Sequence, residues 1–102
     1  MTTVTTWSTL PAADAGGGIV KRQIPGKGAT LVRVEIPAGF KGSRHSHPHE
    51  QFVEVVSGSG TLESEAGTIK FGPGSNFHFP KDAWHAASFD TATVLVEINL
   101  GA

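Results

Sequence analysis

A chain of 102 residues with 38% hydrophobic and 17% charged side chains is long enough for one compact domain and too short for two. The net charge of −1 and the absence of a basic cluster interleaved with aromatic residues argue against a nucleic-acid partner. The chain has no cysteine, which excludes disulfides and thiolate ligands, so any metal must be bound through nitrogen and oxygen atoms.

The beginning of the chain carries no recognisable targeting signal. The first charged side chain is Asp14, and residues 1–9 lack the basic start and apolar run of a signal peptide. No stretch approaches the roughly 18 apolar residues of a membrane span. We therefore expect a cytoplasmic protein with no membrane contact.

Residues 1–20 are rich in Thr, Ala and Gly and contain few apolar anchors, so they predict an N-terminal arm or edge strand. We expect this arm to take part in a dimer contact, and residues 21–102 to form the domain itself. From Thr30 onward, short runs rich in β-branched and aromatic residues recur about every 8–12 residues between Gly and Pro. About eight strands are predicted, near residues 30–36, 43–47, 51–56, 60–64, 67–72, 76–80, 85–89 and 92–99.

Two of these strands alternate clearly between apolar and other residues. Val32 to Ile36 and Val94 to Ile98 each present one apolar and one mixed face, as half-buried antiparallel strands do. No helical period or internal repeat competes with this pattern. The sequence thus predicts an all-β fold, an antiparallel jelly-roll β-barrel with an N-terminal arm.

Three of the five histidines lie in the run His45-Ser46-His47-Pro48-His49. In a strand, His45 and His47 would point to the same face, while Pro48 would end the ladder and place His49 in a turn. Two imidazoles on one face make half of a metal site. Gln51 opens the next strand and shares its period with the apolar residues that follow, so its amide oxygen is a third candidate ligand.

Residues 39–58 resemble the first motif of the cupin family, G-x5-H-x-H-x3-E-x6-G, with Gln51 in the place of the usual Glu. Residues 74–89 are similar to the second motif, G-x5-P-x-G-x2-H-x3-N, with Asp82 replacing a turn Gly and Phe89 replacing the final Asn. The resemblance implies a cupin barrel that holds one divalent transition metal (Zn, Ni, Co, Mn or Fe). It also implies the ligand set His45, His47, Gln51 and His85.

Other polar residues are expected to lie outside this ligand set. His49 is predicted at the rim, and His78, between two Phe residues that should face inward, is predicted to point outward. Trp84 is expected to pack at the barrel mouth, with a role in the pocket wall as the alternative. Four charged residues are candidate acids, bases or anion anchors, although alternation suggests that most face solvent: Arg33, Glu35, Glu54 and Glu97.

Three imidazoles and an amide would leave the +2 charge of a metal uncompensated, which favours Lewis-acid chemistry over redox cycling. One hypothesis is a metal-dependent enzyme acting on a small oxygenated, anionic metabolite by isomerase or lyase chemistry, with dioxygenation less favoured. The histidine run also resembles the cupins of pectin degradation, which convert unsaturated uronates to linear keto sugars. The second hypothesis is a non-catalytic cupin that binds a small ligand or metal. No catalytic residue can be assigned from the sequence.

Apolar residues predicted on the outer face of the strand at 51–56, namely Phe52 and Val56, would remain in water on a monomer. We therefore predict a homodimer, since two-fold pairing is the common way to cover such a surface.

Overall fold

The computed structural model describes residues 1–101, and Ala102, which the predicted domain included, lies outside the described residues. Within that range the chain forms one 3₁₀ helix at Trp7–Thr9 and nine strands. The strands are β1 Ala13–Asp14, β2 Val20–Pro25, β3 Ala29–Ile36, β4 Gln51–Ser57, β5 Gly60–Ser64, β6 Gly67–Phe71, β7 Asn76–Phe79, β8 His85–Phe89 and β9 Thr93–Leu100. None of the described helices is long and apolar enough to cross a membrane.

The strands form two antiparallel sheets. The larger sheet has six strands in the order β1-β2-β3-β9-β4-β7, and the smaller has three in the order β6-β5-β8. Apolar side chains from both sheets, including Val34 and Val55 on one side and Leu62 and Phe89 on the other, form a single buried core. This is the predicted jelly-roll architecture.

The alternation of β3 and β4 places their residues as the sequence predicts. On β3, Val32, Val34 and Ile36 are buried, and on β4 every second residue from Gln51 to Val55 is buried. Because side chains in a strand alternate between the two faces, the residues between them lie on the outer face of the large sheet.

Strand β9 buries its less apolar face, although its composition suggests that the fully apolar face would be the buried one. Its mixed face, with Thr93 and Leu95, is the buried one, while Val94 and Val96 are half-buried and Ile98 is exposed on the outer face. The fully apolar face of β9 therefore faces away from the core.

The predicted strand at 43–47 is wrong. The connection between β3 and β4 is irregular, and only two isolated bridges, Lys41 with Ser88 and His45 with His85, attach it to β8 within the described residues. Gly39, with a φ of 82°, and Pro48 interrupt the regular extended backbone that a ladder needs. The prediction also missed β2, which together with β1 extends the large sheet beyond β3.

Candidate metal site and cavity

Three histidines are brought together by the β3–β4 connection and β8. The backbone N–H of His45 donates to the carbonyl of His85 at 3.0 Å, and the N–H of His85 donates to the carbonyl of His45 at 2.9 Å. The ring centroids of His45 and His85 are 4.3 Å apart, and the ring of His47 lies 5.0 Å and 5.4 Å from them. One ring nitrogen of each residue lies within 4.8 Å of those of the other two, so the cluster could hold a metal ion.

The ring nitrogens are in states that suit metal binding. His45 Nδ1 lies 2.9 Å from the carbonyl oxygen of Ser43, which only accepts, so Nδ1 donates and Nε2 keeps its lone pair for a metal. The ring of His85 is buried and stacks on Phe79 with centroids 3.8 Å apart. Its Nδ1 has no hydrogen-bond partner among the described residues. This donor set fits a divalent transition metal.

The protonation of the cluster favours the same conclusion. Burial, with a smaller contribution from the positive charge of His45, lowers the pKa of His85 to about 4. Burial also lowers the pKa of His47, and His45 and His49 add to the effect. Metal ligation requires neutral imidazoles, so these two side chains need not lose a proton at neutral pH before they bind.

The lowered pKa of His85 predicts how the stability of the metal-free protein depends on pH. The unfolded chain takes up a proton at His85 below pH 6.5, while the folded protein resists it down to about pH 4. The free energy of unfolding should therefore hold above pH 6.5 and fall between pH 6.5 and 4, by up to about 3 kcal/mol. Urea unfolding of chelator-treated protein across this range measures the fall, and His85→Gln should reduce the slope. An unchanged slope in that variant would contradict the assignment.

Gln51 faces the same interior. It begins β4, is 4% exposed, and lies opposite Asn99 on β9 in the ladder. Its Nε2 donates to Asn99 Oδ1 at 2.8 Å, which leaves the amide oxygen of Gln51 as the atom available to a metal. Asn99 was not among the predicted site residues, although its position, four residues after the inward Leu95, indicates the inner face.

A cavity of about 160 Å³ opens beside the histidines. This is smaller than the roughly 300–1,000 Å³ of sites for drug-sized ligands, so it suits a small metabolite. His45, Gln51 and His85 lie in its wall together with two charged residues, Lys21 and Glu97. The remaining wall is mostly aliphatic and aromatic, formed by Ile19, Val34, Ile36, Phe40, Gly42, Val53, Leu62, Phe77, Phe79, Ala87, Phe89 and Leu95.

Glu97 is the one of the four charged candidates that lines this cavity. Its neighbour two residues earlier, Leu95, is buried, so the period of β9 carries Glu97 to the inner face. Burial raises the pKa of Glu97, against the opposing effects of Lys21 and of the nearby histidines. A carboxyl with a raised pKa can both give and take a proton, which suits the acid or base role for which Glu97 was one of four candidates.

Lys21 reaches the cavity from β2, where it lies opposite the buried Val34 in the ladder. The residue as a whole is exposed. Lys21 was not a predicted site residue, because it follows the predicted arm directly and β2 was not among the predicted strands. An ammonium group beside the cavity can hold the negative group of a ligand.

Three further residues that the sequence singled out are His49, His78 and Trp84, and none of them lines the cavity. His49 is half-buried, and its ring stacks on that of His47 with centroids 5.2 Å apart. His78 is exposed, as predicted, and its Nε2 lies 2.6 Å from a carboxylate oxygen of Glu50. The Trp84 ring packs against the guanidinium of Arg44, 3.7 Å from the ring centroid.

Comparison with known families agrees with this geometry. The model of the cupin domain matches residues 32–99, which cover most of the two sheets and all four proposed ligands. The chain belongs to the cupin family. No curated protein matches its sequence.

Solved cupins share the fold at low sequence identity. An RmlC-like cupin from Shewanella frigidimarina superposes with a TM-score of 0.89 at 22% identity, covering 96% of this chain and 89% of that one. KdgF from a Halomonas species gives a TM-score of 0.86 at 22% identity, with 93% and 91% covered. Ectoine synthase from P. lautus gives 0.87 at 18% identity, with 98% and 78% covered. These similarities establish the fold.

The backbone explains one departure from the cupin motifs, at Asp82, and one motif position that is kept, at Gly58. Asp82, in place of a turn Gly, has a φ of 64°, a left-handed conformation that Asp tolerates better than most residues. Gly58, which the motif keeps, has a φ of 95°, and a Cβ there would overlap Thr93. The first position can therefore vary and the second cannot.

Proposed function

We propose that this cupin is a metal-dependent enzyme that acts on a small oxygenated, anionic metabolite by isomerase or lyase chemistry. The observation that carries the proposal is Glu97, an ionisable carboxyl that lines the same cavity as His45 and His85, two of the three clustered histidines. A cavity lined only by apolar groups would instead support a binding protein. In the proposed site, one divalent transition metal (Zn, Ni, Co, Mn or Fe) is held by His45, His47, Gln51 and His85.

Each residue has a distinct part in this proposal. The bound ion would supply Lewis acidity that polarises an oxygen of the substrate. Asn99 holds the amide nitrogen of Gln51 and so fixes the orientation of that ligand. Lys21, beside the cavity, attracts the negative group of the substrate.

Glu97 moves the proton. As a base, its carboxylate takes a proton from the carbon next to a carbonyl, and the electron pair moves toward the carbonyl oxygen. As an acid, it returns that proton to another position, which completes an isomerisation, or protonates the oxygen of a leaving group, which completes an elimination. The aromatic and aliphatic walls keep water away from the reacting carbon.

The motif resemblance to the cupins of pectin degradation makes uronate-like sugars the first substrates to test. Such molecules carry both the carboxylate that Lys21 would hold and the oxygens that a Lewis acid would polarise. The experiment is elemental analysis of the untagged protein, followed by assays of uronates, keto acids and diketones with the metal found. We expect about one ion per chain and conversion of an anionic substrate. Oxygen consumption with a diketone would favour dioxygenation instead.

The mostly apolar wall of the cavity favours a second candidate, a non-catalytic cupin that binds a small ligand. Eight large aliphatic or aromatic side chains, including Phe77 and Phe89, surround the few polar groups. Tight binding without conversion of any tested compound would support this alternative. In either case we propose that the working form is a homodimer.

Replacing Gln51 with Glu tests whether the absence of charge on this ligand matters for the binding of metal and anions. The substitution keeps an oxygen donor, and the Asn99 amide can turn to donate to the new carboxylate. Metal affinity should stay equal or rise, because a carboxylate attracts a +2 ion more strongly than an amide does. Binding of an anion should weaken by about 1–3 kcal/mol, since the added charge offsets part of the attraction of the metal.

The measurement is metal stoichiometry together with calorimetric affinity for citrate, oxalate or a uronate in both proteins. A lower turnover at unchanged metal content is expected of a Lewis-acid enzyme. Tighter anion binding by the Glu variant at full metal occupancy would refute the electrostatic argument.

A further inference from the structure

The outer face of the large sheet is unusually apolar around β9 and β4. Val96 and Ile98 project outward from β9, and Phe52 and Val56 project outward from β4. Ile98 is 40% exposed, Phe52 42% and Val56 48%. Aliphatic and aromatic groups exposed side by side on one sheet indicate a surface that another protein surface covers.

One side of this face carries a surplus of positive charge. Arg22 on β2 and Arg33 on β3 each place Nη1 3.0 Å from a carboxylate oxygen of Glu35. The hydrogen bond from Arg33, with a smaller one from Arg22, lowers the pKa of Glu35, so this carboxyl is ionised. Two guanidinium groups thus share one carboxylate. The Nε of Arg22 is buried and has no acceptor among the described residues.

The other side carries an unpaired negative charge. Glu54 on β4 is exposed, and within residues 1–101 no basic side chain forms an ion pair with it. The ladder registers place Glu54 opposite Val96, and Val96 opposite Arg33. Arg33 and Glu54 therefore lie at the same level of the sheet, one on each side of β9.

We propose that a second copy of this chain covers this face. The two copies are related by a two-fold axis that runs parallel to β9, midway between the large sheets of the two subunits. This interface rests on the proposed homodimer. The rotation keeps each residue at its level along β9 and exchanges the two sides. It places Arg33 over Glu54 of the partner subunit, and Glu54 over Arg33 of the partner subunit. The interface then contains two ion pairs, each between Arg33 of one subunit and Glu54 of the other.

The apolar residues match under the same rotation. Leu31 lies opposite Ile98 in the ladder, and Ile98 lies opposite Phe52, so these three also share one level. The rotation brings Leu31 over Phe52 of the partner subunit and Ile98 over itself. A depression between β4, β7 and β9, lined by Phe52 and Val96 among others, gives room for side chains of the partner.

Charge selects this axis over the other simple two-fold arrangement. An axis across the strands at the level of Val96 would place Arg33 over Arg33 of the partner subunit and Glu54 over Glu54 of the partner subunit, and like charges in contact oppose association. The size is also adequate. The five strands from β2 to β7 in sheet order have four to eight residues each, and at about 3.3 Å per residue and 4.8 Å between strands they span roughly 500 Å² before side-chain relief is counted. That is comparable with the roughly 800 Å² per partner of standard interfaces.

The test uses two charge reversals in the metal-loaded protein, Arg33→Glu and Glu54→Arg. In either variant alone, the homodimer would contain two like-charge contacts, so we expect its dissociation constant to rise about ten-fold or more. When the two variants are mixed, a heterodimer regains two attractive contacts. Sedimentation should then show twice the chain mass of 10.6 kDa, and native mass spectrometry should show one chain of each kind. Glu63→Arg, a reversal at an exposed position of the small sheet, should dimerise like the wild type.

The possible outcomes distinguish an error in the proposed interface from an error in the proposed homodimer. A wild-type protein that remains monomeric at micromolar concentration overturns both the homodimer and this interface. Dimers of both variants as stable as the wild type overturn the interface and leave the dimer intact. Variants that dissociate, bind metal normally and fail to associate when mixed overturn the proposed axis. Metal binding by each variant reports that its barrel is folded, independently of its association.

Discussion

His47→Ala should abolish the stabilisation of this cupin by its metal. At about 100 times its dissociation constant, a bound ion adds about 2.7 kcal/mol to the free energy of unfolding. In a domain of this size that raises the melting temperature by about 10 °C or more. His47 supplies one of the three clustered ring nitrogens, and the remaining pair would bind an ion far more weakly. Thermal unfolding with and without each candidate metal measures the shift.

The matched control is His78→Ala. His78 is a histidine of the same domain, but it lies on the exterior, where it pairs with Glu50 and stacks on Phe52. Its removal should lower the melting temperature of the metal-free protein slightly and leave the metal-dependent increment unchanged. If both variants respond equally to metal, the site has been placed wrongly.

The fold was largely predictable because hydrophobic periodicity reports it directly. Seven of the predicted strands correspond to observed ones, and the jelly roll follows from their number and antiparallel turns. The exceptions have a local cause. β2 is exposed along most of its length, so it lacks the apolar alternation by which strands are recognised. The segment at 43–47 carries two histidines with strand spacing but is attached by a bridge at His45 alone.

The histidine cluster was predictable for a different reason. Metal ligands must have a fixed geometry, so a family that shares a metal site keeps the same spacing between its ligands. The resemblance to the cupin motifs therefore identified His45, His47 and His85, which lie close together in the structure. The alternation of side chains along a strand relates His45 to His47 but does not identify His85. His85 lies 38 residues beyond His47 in the sequence and is brought close by the pairing of His45 with β8.

Glu97 was one of four charged candidates that the sequence could not rank, since a carboxylate on a strand is usually on the water side. Here the carboxylate faces inward because the alternation of β9 buries Leu95 and carries Glu97, two residues later, to the same inner face. The apolar residues Val94, Val96 and Ile98 occupy the outer face, and the inner face ends in Glu97 and Asn99 beside the histidines. This orientation of β9 thus places a polar group in the cavity and an apolar surface on the outside of the large sheet.

Glu97→Gln should reduce turnover of the substrate by about 100- to 10,000-fold, the usual contribution of a positioned acid or base. The amide keeps the size and hydrogen-bonding capacity of the carboxyl but cannot take or release a proton. Metal content and substrate affinity should change little, because Glu97 is not among the proposed ligands. Steady-state kinetics should therefore show the loss in kcat rather than in KM.

The pH profile distinguishes proton transfer from a merely structural role. Burial raises the pKa of Glu97, so a base at this position is protonated and inactive at acidic pH. The kcat/KM of the wild type should rise with pH through that raised pKa, and this limb should vanish from the residual activity of the Gln variant. Glu63→Gln, the same substitution at an exposed position on β5, should keep both the rate and the limb. A Glu97→Gln protein that retains wild-type turnover and the same acidic limb would show that another group moves the proton, and would leave the binding protein as the better account of the cavity.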